Sequence, residues 1–249
     1  MFSKFKIFNN MNKQILIVCM PKTGSTYILK KLIHYTNFER IVVRAQPEIQ
    51  EFDEKVIRKS IFKNLVDQIH VQGSNFAVKQ INTLNNPKVI ILYRKLSEII
   101  FSFRDFSHSE EMRKNFDKKG YVSIFGSIFD KNYYSLDKND QLNFIIKYSV
   151  PQLIYFYVSW EKFSKQIKTK VKWLDYDKFF KDYKNEFIEL IKFCELDVNK
   201  NLIETTLGFK HNTRFNESKN INERNLNDDQ KNEIIKLLKF YPNLKQKLF

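Results

Sequence analysis

Short apolar runs alternate with segments of helical periodicity along most of the chain. Five of the runs have the length of a strand: QILIVC at 14–19, RIVVRA at 40–45, FAVKQ at 76–80, KVIILY at 88–93 and VKWLDY at 171–176. Continuous apolar strands separated by helices are typical of a parallel sheet covered on both faces. The pattern therefore predicts a single α/β domain over residues 1–249, with about five parallel strands flanked by helices.

Helices are predicted where apolar residues recur every three or four positions. The predicted segments are 27–35, 52–69, a helix that begins near Leu96, 141–163 with an interruption near Pro151, 183–194 and 228–240. Residues 107–134 show no such period and combine polar and aromatic residues with two glycines. We interpret this segment as irregular, either an ordinary long insertion or a lid or acceptor-binding part of a site.

The net positive charge suits an anionic partner but fits several classes of molecule. There are 43 Lys and Arg residues against 28 Asp and Glu, which gives a formal charge of +15. A charge of this size aids solubility, and it also attracts nucleotides, acidic glycans, nucleic acids or membranes. The charge alone does not choose among these partners.

Other features of the composition argue against several classes of protein. Cys19 and Cys194 lie far apart and form neither a disulfide framework nor a CxxC pair, and the four histidines are scattered, so no metal is expected. No apolar run approaches the roughly 18 residues that span a bilayer. Residues 1–10 lack the apolar core of a signal peptide, and the expected location is the cytoplasm.

The first predicted strand stops at the loop Pro21-Lys22-Thr23-Gly24-Ser25-Thr26, and a helical pattern follows at once. Glycine permits close backbone approach, and hydroxyl side chains can cap the helix. The N–H groups at the start of a helix attract an anion, and Lys22 adds a mobile positive charge. The loop therefore predicts a phosphate or sulfate site, although a plain turn with a good N-cap would also fit.

The order of residues in this loop differs from that of the nucleotide P-loop. In the pattern GxxxxGK[ST] the lysine follows the last glycine, whereas Lys22 precedes Gly24 by two positions. An ordinary ATP or GTP site is therefore a poor match.

A second candidate anion site follows the strand at 88–93, in VIILYRKLSEIIFSF. Arg94 ends the strand, and Ser102 lies eight residues later, about two helical turns along. A guanidinium fork and a serine hydroxyl can hold a second phosphate. Ligands of parallel sheets bind at the carboxyl ends of the strands, so we expect both sites at one edge of the sheet.

Together these segments resemble the PAPS-dependent sulfotransferases, a family with a P-loop NTPase-like fold. PAPS is 3′-phosphoadenosine 5′-phosphosulfate, and PAP is the product left after transfer. PKTGSTY resembles the family's 5′-phosphosulfate loop, and VIILYRKLSEIIFSF resembles its 3′-phosphate motif. VKWLDYDKFFKDYKNEFIELIKFCEL is similar to a later strand, turn and helix, and FNESKNINERNLNDDQ resembles a degraded form of the C-terminal basic segment.

The resemblance implies roles for individual residues. Those implied around the 5′-phosphosulfate are Lys22, Thr23, Gly24, Ser25 and Thr26. Arg94 and Ser102 would bind the 3′-phosphate, and Arg224 would replace the C-terminal basic contact, although the flanking glycines are missing. Lys22 would also act in catalysis, on the bridging oxygen where negative charge grows.

A general base must take the proton of the acceptor, and the resemblance offers two patterns for it. Cytosolic members use the histidine of a K-T-H motif after the third strand; in VKQINTL, Lys79 matches but Ile81 stands in the histidine's place. The glycan-modifying branch uses a glutamate soon after the second strand, and PEIQEFDE offers Glu48 there, with Glu51 in reserve. We therefore predict Glu48 as the base and a carbohydrate or glycolipid acceptor, while His70 and Lys79 stay open.

Two other functions remain open at this stage. One is a P-loop small-molecule kinase, for which Asp175 and Asp177 could bind Mg²⁺; the other is a non-catalytic basic protein that binds nucleic acid. The favoured partners are the anionic donor PAPS and a small-molecule or glycan acceptor, without nucleic acid, metal or a transmembrane segment. The sequence does not indicate an oligomeric state.

Overall fold

The computed structural model describes residues 12–36, 38–45, 51–125, 127–198, 203 and 224–249. The strands in this part of the chain are β1 (Gln14–Cys19), β2 (Glu39–Arg40), β3 (Leu65–Ile69), β4 (Lys88–Tyr93), β5 (Tyr121–Ile124), β6 (Ser127–Asp130) and β7 (Val171–Asp175). Five of them form one parallel sheet in the order β2-β3-β1-β4-β7. The predicted α/β class with five parallel strands is confirmed.

Helices cover the sheet. They are α1 (Ser25–Thr36), α2 (Glu54–Ser60), α3 (Asn75–Thr83), α4 (Leu96–Ser107), α5 (Glu110–Lys119), α6 (Lys131–Ser135), α7 (Lys138–Tyr148), α8 (Val150–Phe163), α9 (Tyr176–Lys181), α10 (Tyr183–Phe193), α11 (Asp228–Leu238) and α12 (Lys245–Leu248). The predicted break near Pro151 is the junction of α7 and α8 at Ser149. None of the helices described here has the length and apolar character that crossing a membrane requires.

The central strands bury both of their faces. All six residues of β1 are buried. Leu16 and Val18 belong to a core that includes apolar residues of α3, α4, α7 and α8, whereas Ile15 and Ile17 belong to a second core with α1, α9 and α10. Because successive side chains of a strand point to opposite faces, a strand between two helical layers is apolar throughout.

The third strand does not lie where the pattern predicted it. Segment 52–69 divides into α2 and β3, and the predicted strand at 76–80 is part of α3. The Ser74 hydroxyl accepts a hydrogen bond from the N–H of Ala77 and so caps α3. Short apolar runs are compatible with either a helix or a strand. At 76–80 the N-cap Ser74 favours the helix. As a consequence, the residue that directly follows the third strand is His70.

The second strand is shorter than the predicted 40–45, because β2 contains only two residues. The buried carboxylate of Asp67 in β3 accepts the N–H of Val43 at 2.9 Å and Nε of Arg40 at 3.3 Å. A side-chain acceptor thus replaces the backbone ladder after Arg40. Burial raises the pKa of Asp67, and these hydrogen bonds oppose the shift.

Residues 107–134 are more regular than predicted. They form the end of α4, then α5, an antiparallel hairpin of β5 and β6, and α6. Gly120, with φ of 75°, ends α5 in a left-handed conformation that glycine adopts readily. Along the hairpin, buried and exposed residues alternate; the buried ones are Val122, Ile124, Ser127 and Phe129. The hairpin is therefore packed on the core.

Candidate active site

The loop from Met20 to Gly24 joins β1 to α1 in a tight turn. The N–H of Met20 donates to the carbonyl of Leu92 at 3.0 Å, and Thr23 Oγ1 donates to the carbonyl of Met20 at 2.6 Å. Lys22 and Gly24 have positive φ angles of 64° and 69°. Alternation of left- and right-handed backbone turns successive N–H groups to one side, which makes an anion-binding concavity.

Four N–H groups at the start of α1 have no hydrogen-bond acceptor within the described part of the chain. Those of Thr23, Gly24, Ser25 and Thr26 donate to no oxygen among the residues that the structure describes, while the carbonyl of Gly24 accepts from Tyr27. Together with the positive end of the helix dipole, they suit an oxyanion. The hydroxyl of buried Thr23 is committed to the turn, so its donor toward a ligand is the backbone N–H.

The two predicted anion motifs meet at one edge of the sheet. Arg94 follows β4, and its Nη1 donates to the carbonyl of Lys22 at 3.2 Å. The ammonium of Lys22 lies 3.9 Å from the centroid of the Phe106 ring on α4, in a cation–π contact. Arg94 thus binds the loop directly. This agrees with the expectation that the carboxyl ends of neighbouring parallel strands lie at the same edge of the sheet.

The guanidinium of Arg94 is fixed on several sides. Nη2 donates to Glu98 Oε2 at 3.1 Å, and the group stacks 4.0 Å from the centroid of the Tyr176 ring. Nε lies 3.9 Å from Asp177 Oδ1 and has no hydrogen-bond partner within the described part of the chain. Burial raises the pKa of Asp177, and the charge of Arg94 opposes this. A buried, preoriented N–H is therefore available to a further acceptor.

Arg224 reaches the same side chains from the C-terminal part of the chain. Its Nη2 donates to Asp105 Oδ2 at 2.7 Å, and its Nη1 lies 3.9 Å from Glu98 Oε2. Because Glu98 also binds Arg94, two guanidiniums share one carboxylate. Ser102 lies on the same stripe of α4, four residues after Glu98 and three before Asp105. Glu98 thus brings Arg94 and Arg224 together, and helical spacing puts Ser102 on the same stripe of α4.

An aromatic cluster borders the loop on another side. The ring of Phe180 lies 5.5 Å from that of Tyr27 and 4.5 Å from that of Tyr176, measured between centroids. A Cβ on Gly24 would approach Phe180 and Tyr176 to 2.9 Å, so the close packing requires glycine there. Our sequence reasoning assigned no role to these rings, although the aromatic residue directly after PKTGST was a usable signal.

His70 lies at the same edge, directly after β3. Its Nδ1 is 2.8 Å from the carbonyl oxygen of Cys19. A carbonyl only accepts, so Nδ1 carries the hydrogen and Nε2 keeps its lone pair. Burial lowers the pKa of His70 below its usual 6.5, and the charges of Arg44 and Lys22 lower it further, against the bond to Cys19. At neutral pH the ring is therefore neutral, with Nε2 unprotonated.

The thiol beside this imidazole is not charged. Cys19 Sγ lies 3.3 Å from His70 Nδ1. Burial raises the pKa of Cys19 to about 12, so the group stays protonated near neutral pH. It adds bulk rather than charge to the site.

The segment after His70 is fixed on α8. Trp160 Nε1 donates to the carbonyl of Val71 at 2.8 Å, and the N–H of Gly73 donates to Ser159 Oγ at 2.9 Å. A Cβ on Gly73 would lie 2.7 Å from the backbone of Ser159. Close packing of this loop against the helix backbone therefore sets the position of His70.

Gly73→Ala is expected to lower both stability and turnover. The added methyl meets backbone atoms that cannot rotate away, and such overpacking destabilises by about 1–3 kcal/mol. Gly120→Ala is the matched control, because Gly120 has open space around it but a left-handed backbone. Thermal denaturation should show a lower Tm for both variants, and only Gly73→Ala should lose turnover. Equal turnover in the two variants would show that the loop does not position His70.

The remaining predicted residues fall outside this cluster. Glu48 lies outside the described residues, and Glu51 is exposed. Lys79 is exposed on α3, so the proposed match of VKQINTL to a strand end was wrong. Asp175 caps α9 by accepting the N–H of Asp177 at 2.8 Å. Among the residues described, no group of three or more His, Cys, Asp or Glu side chains is placed to hold a metal ion.

Comparison with solved structures identifies the fold. The chain is similar to the crystal structure of mouse sulfotransferase SULT7A1 complexed with PAP, with a TM-score of 0.60 and 15% sequence identity, over 95% of this chain and 86% of that chain. The chain has the fold of a sulfotransferase. No protein-family model matches the sequence, and no curated protein matches it either. The sulfotransferase fold is thus established by shape, and the chemistry rests on the residues of the site.

Proposed function

We propose that the protein is a PAPS-dependent sulfotransferase that moves a sulfuryl group to a hydroxyl or amine acceptor. The observation that carries this proposal is a pair of anion sites at one sheet edge. One is the set of four N–H groups beside Lys22 that have no acceptor among the described residues, and the other is the buried Nε of Arg94. PAPS is charged at its 5′ and 3′ ends and matches such a pair, and the mouse neighbour was crystallised with PAP.

Each charged end of the donor has a complementary surface. The 5′-phosphosulfate fits the loop of Lys22, Gly24, Ser25 and Thr26, where N–H groups and an ammonium favour negative charge. The 3′-phosphate fits Arg94 with Ser102, and Arg224 adds positive charge to the same face of α4.

The chemistry required of the protein is positioning and charge stabilisation. The sulfur–oxygen bond to the phosphate breaks as the acceptor oxygen or nitrogen bonds to sulfur, and the electron pair stays on the departing phosphate oxygen. The Lys22 ammonium and the loop N–H groups stabilise the charge that grows there. The proton of the acceptor goes to a general base.

We propose His70 as that base, in competition with the Glu48 predicted from sequence. The support for His70 is its position after the third strand, its fixed tautomer and its neutral state. The base must be unprotonated, so activity should fall as pH falls through the lowered pKa of His70. A glutamate near its ordinary pKa of about 4.3 would keep the enzyme active at lower pH.

The chemical class of the acceptor is a separate question from the identity of the donor. The expectation of a carbohydrate or glycolipid rests on Glu48, because a glutamate base goes with the glycan-modifying branch. If His70 is the base, that reason for a sugar acceptor disappears. A panel with 4-nitrophenol, a long-chain alcohol, a primary amine and an oligosaccharide separates these classes.

The test is transfer of ³⁵S from labelled PAPS to this panel. We expect a labelled product with at least one class, and loss of that product in Lys22→Ala. Intact PAPS with every acceptor class would contradict the proposal. In parallel, PAP should raise the Tm, because a ligand at 100 times its Kd stabilises by about 2.7 kcal/mol. A higher Tm with Mg²⁺–ATP alone would favour a small-molecule kinase. A higher Tm with single-stranded RNA alone would favour a protein that binds nucleic acid.

A further inference from the structure

We propose that Phe125, at the tip of the β5–β6 hairpin, is a positioning residue for His70 and closes the acceptor side of the site over the imidazole. The proposal rests on the role of His70 as base in the proposed function. It gives a specific task to the hairpin, which lies in the segment 107–134 that the sequence left open between an ordinary insertion and a lid or acceptor-binding part.

Contact between the two rings is direct. The centroids of Phe125 and His70 lie 6.4 Å apart with an interplanar angle of 81°, an edge-to-face arrangement. The imidazole is also held by the hydrogen bond that Nδ1 donates to the carbonyl of Cys19. The ring is thus held by a hydrogen bond at one nitrogen and by an aromatic neighbour, which together limit its rotation and its contact with water.

The backbone of Phe125 is in an uncommon conformation. Its φ is 48°, in the left-handed region that side chains other than Gly, Asn and Asp rarely adopt. Bulky residues hold such a conformation only where the surrounding structure enforces it, and these positions cluster at functional sites. Here the conformation coincides with a ring that lies against the candidate base.

The hairpin is a firm support for this ring. Ser127, two residues after Phe125, shares a buried hydrogen bond of 2.7 Å with Ser149 at the α7–α8 junction. Ile124, the residue before it, is buried in the core, as are Val122 and Phe129. Phe125 therefore lies close to anchored residues of both strands, which favours a fixed wall over a swinging lid.

Both reacting groups of the protein then have aromatic neighbours. The ammonium of Lys22 lies over Phe106, and the imidazole of His70 lies against Phe125. Apolar rings beside a charged group and a base keep water away and strengthen the electrostatic interactions between them. The segment from the end of α4 to β6 would thus form the dry side of the site.

The experiment uses Phe125→Gly, Phe125→Tyr and, as control, Ile128→Ala on the exposed outer side of the same hairpin. Glycine removes the ring and suits the left-handed backbone, so the fold is expected to survive. Tyrosine keeps the ring. The titration of His70 is followed by NMR of its ring protons, assigned by their loss in His70→Gln, and its reactivity is measured with diethyl pyrocarbonate.

We expect Phe125→Gly to raise the pKa of His70 toward 6.5 and to speed its modification several-fold, with Phe125→Tyr and Ile128→Ala like the wild type. Within the described part of the chain, Cys19, Lys22 and Arg44 also act on this ring, and they are unchanged in all variants. An unaltered titration and modification rate in Phe125→Gly would overturn the proposal, as would equal changes in Ile128→Ala.

These measurements need neither acceptor nor nucleotide, so they fail or succeed separately from the proposed function. If the pKa of His70 shifts in Phe125→Gly but the wild-type protein transfers no sulfuryl group from PAPS, the role of Phe125 stands and the proposed sulfotransferase activity is rejected. Once an acceptor is known, Phe125→Gly should lower kcat about tenfold and shift the acid limb of the pH profile upward, with the KM for PAPS unchanged.

Discussion

His70→Gln is expected to lower kcat for sulfuryl transfer by about 10²- to 10⁴-fold, the usual contribution of a general base. Glutamine retains a side chain that can hydrogen-bond to the carbonyl of Cys19, but its amide is not basic. His70 is assigned no contact with the nucleotide, so the affinity for PAP should stay within about threefold of the wild type. The effect should therefore appear in kcat alone.

The measurement compares three variants by transfer of ³⁵S and by calorimetric titration with PAP. His34→Gln is the matched control, because His34 lies exposed on α1 and should leave both quantities unchanged. Glu48→Gln tests the base predicted from the sequence. A collapse of kcat in Glu48→Gln with normal transfer by His70→Gln would return the role of base to the glutamate.

Arg94→Ala is expected to abolish discrimination between PAP and AMP, which differ only in the 3′-phosphate. A hydrogen bond to a charged group contributes about 1.5–3 kcal/mol, so PAP affinity should fall roughly 10- to 100-fold. The substitution also removes the bond to the carbonyl of Lys22, which weakens both nucleotides together. The ratio of the two affinities therefore isolates the contribution of the 3′-phosphate.

Arg58→Ala provides the control for this ratio. Arg58 forms the same i,i+4 ion pair with Glu54 that Arg94 forms with Glu98, but on the exposed surface of α2. Isothermal titration with both nucleotides should give a wild-type ratio for Arg58→Ala and a ratio near one for Arg94→Ala. An Arg94→Ala protein that still prefers PAP as strongly as the wild type would remove Arg94 from the 3′-phosphate site.

The loop and the strand-end arginine were predictable because their signals are local. In PKTGST and in the spacing of Arg94 to Ser102, a strand, a turn and a helix follow one another without interruption. The geometry of a strand end and a helix start then dictates where the N–H groups and the guanidinium lie. Nothing distant in the sequence was needed to expect both at one edge.

His70 was misplaced because two short apolar segments exchanged their expected structures. LVDQI forms a strand of the sheet, but its buried aspartate is untypical of a strand. FAVKQ has the aromatic and β-branched residues typical of a strand, but it follows the N-cap Ser74 and is helical. Once α3 is recognised as a helix, the third strand ends at Ile69 and the histidine follows it. The error lay in the element boundary, which hid the position of His70 at the end of a strand.

The contact of Phe125 with His70 could be found only in three dimensions, because the two residues lie 55 positions apart in sequence. The hairpin gave no clear alternation of apolar and polar residues, because in SIFD the serine is buried and the isoleucine exposed. The approach of Arg224 to Glu98 is likewise a property of the folded chain.

The most direct test of the account is calorimetric titration of the wild-type protein with PAP and with AMP, in buffer that contains EDTA. Two anion sites at one sheet edge predict that PAP binds at least about tenfold more tightly than AMP, since the 3′-phosphate adds charge-assisted hydrogen bonds. Equal affinity for the two nucleotides, or no binding of PAP, would contradict the assignment of this edge to PAPS.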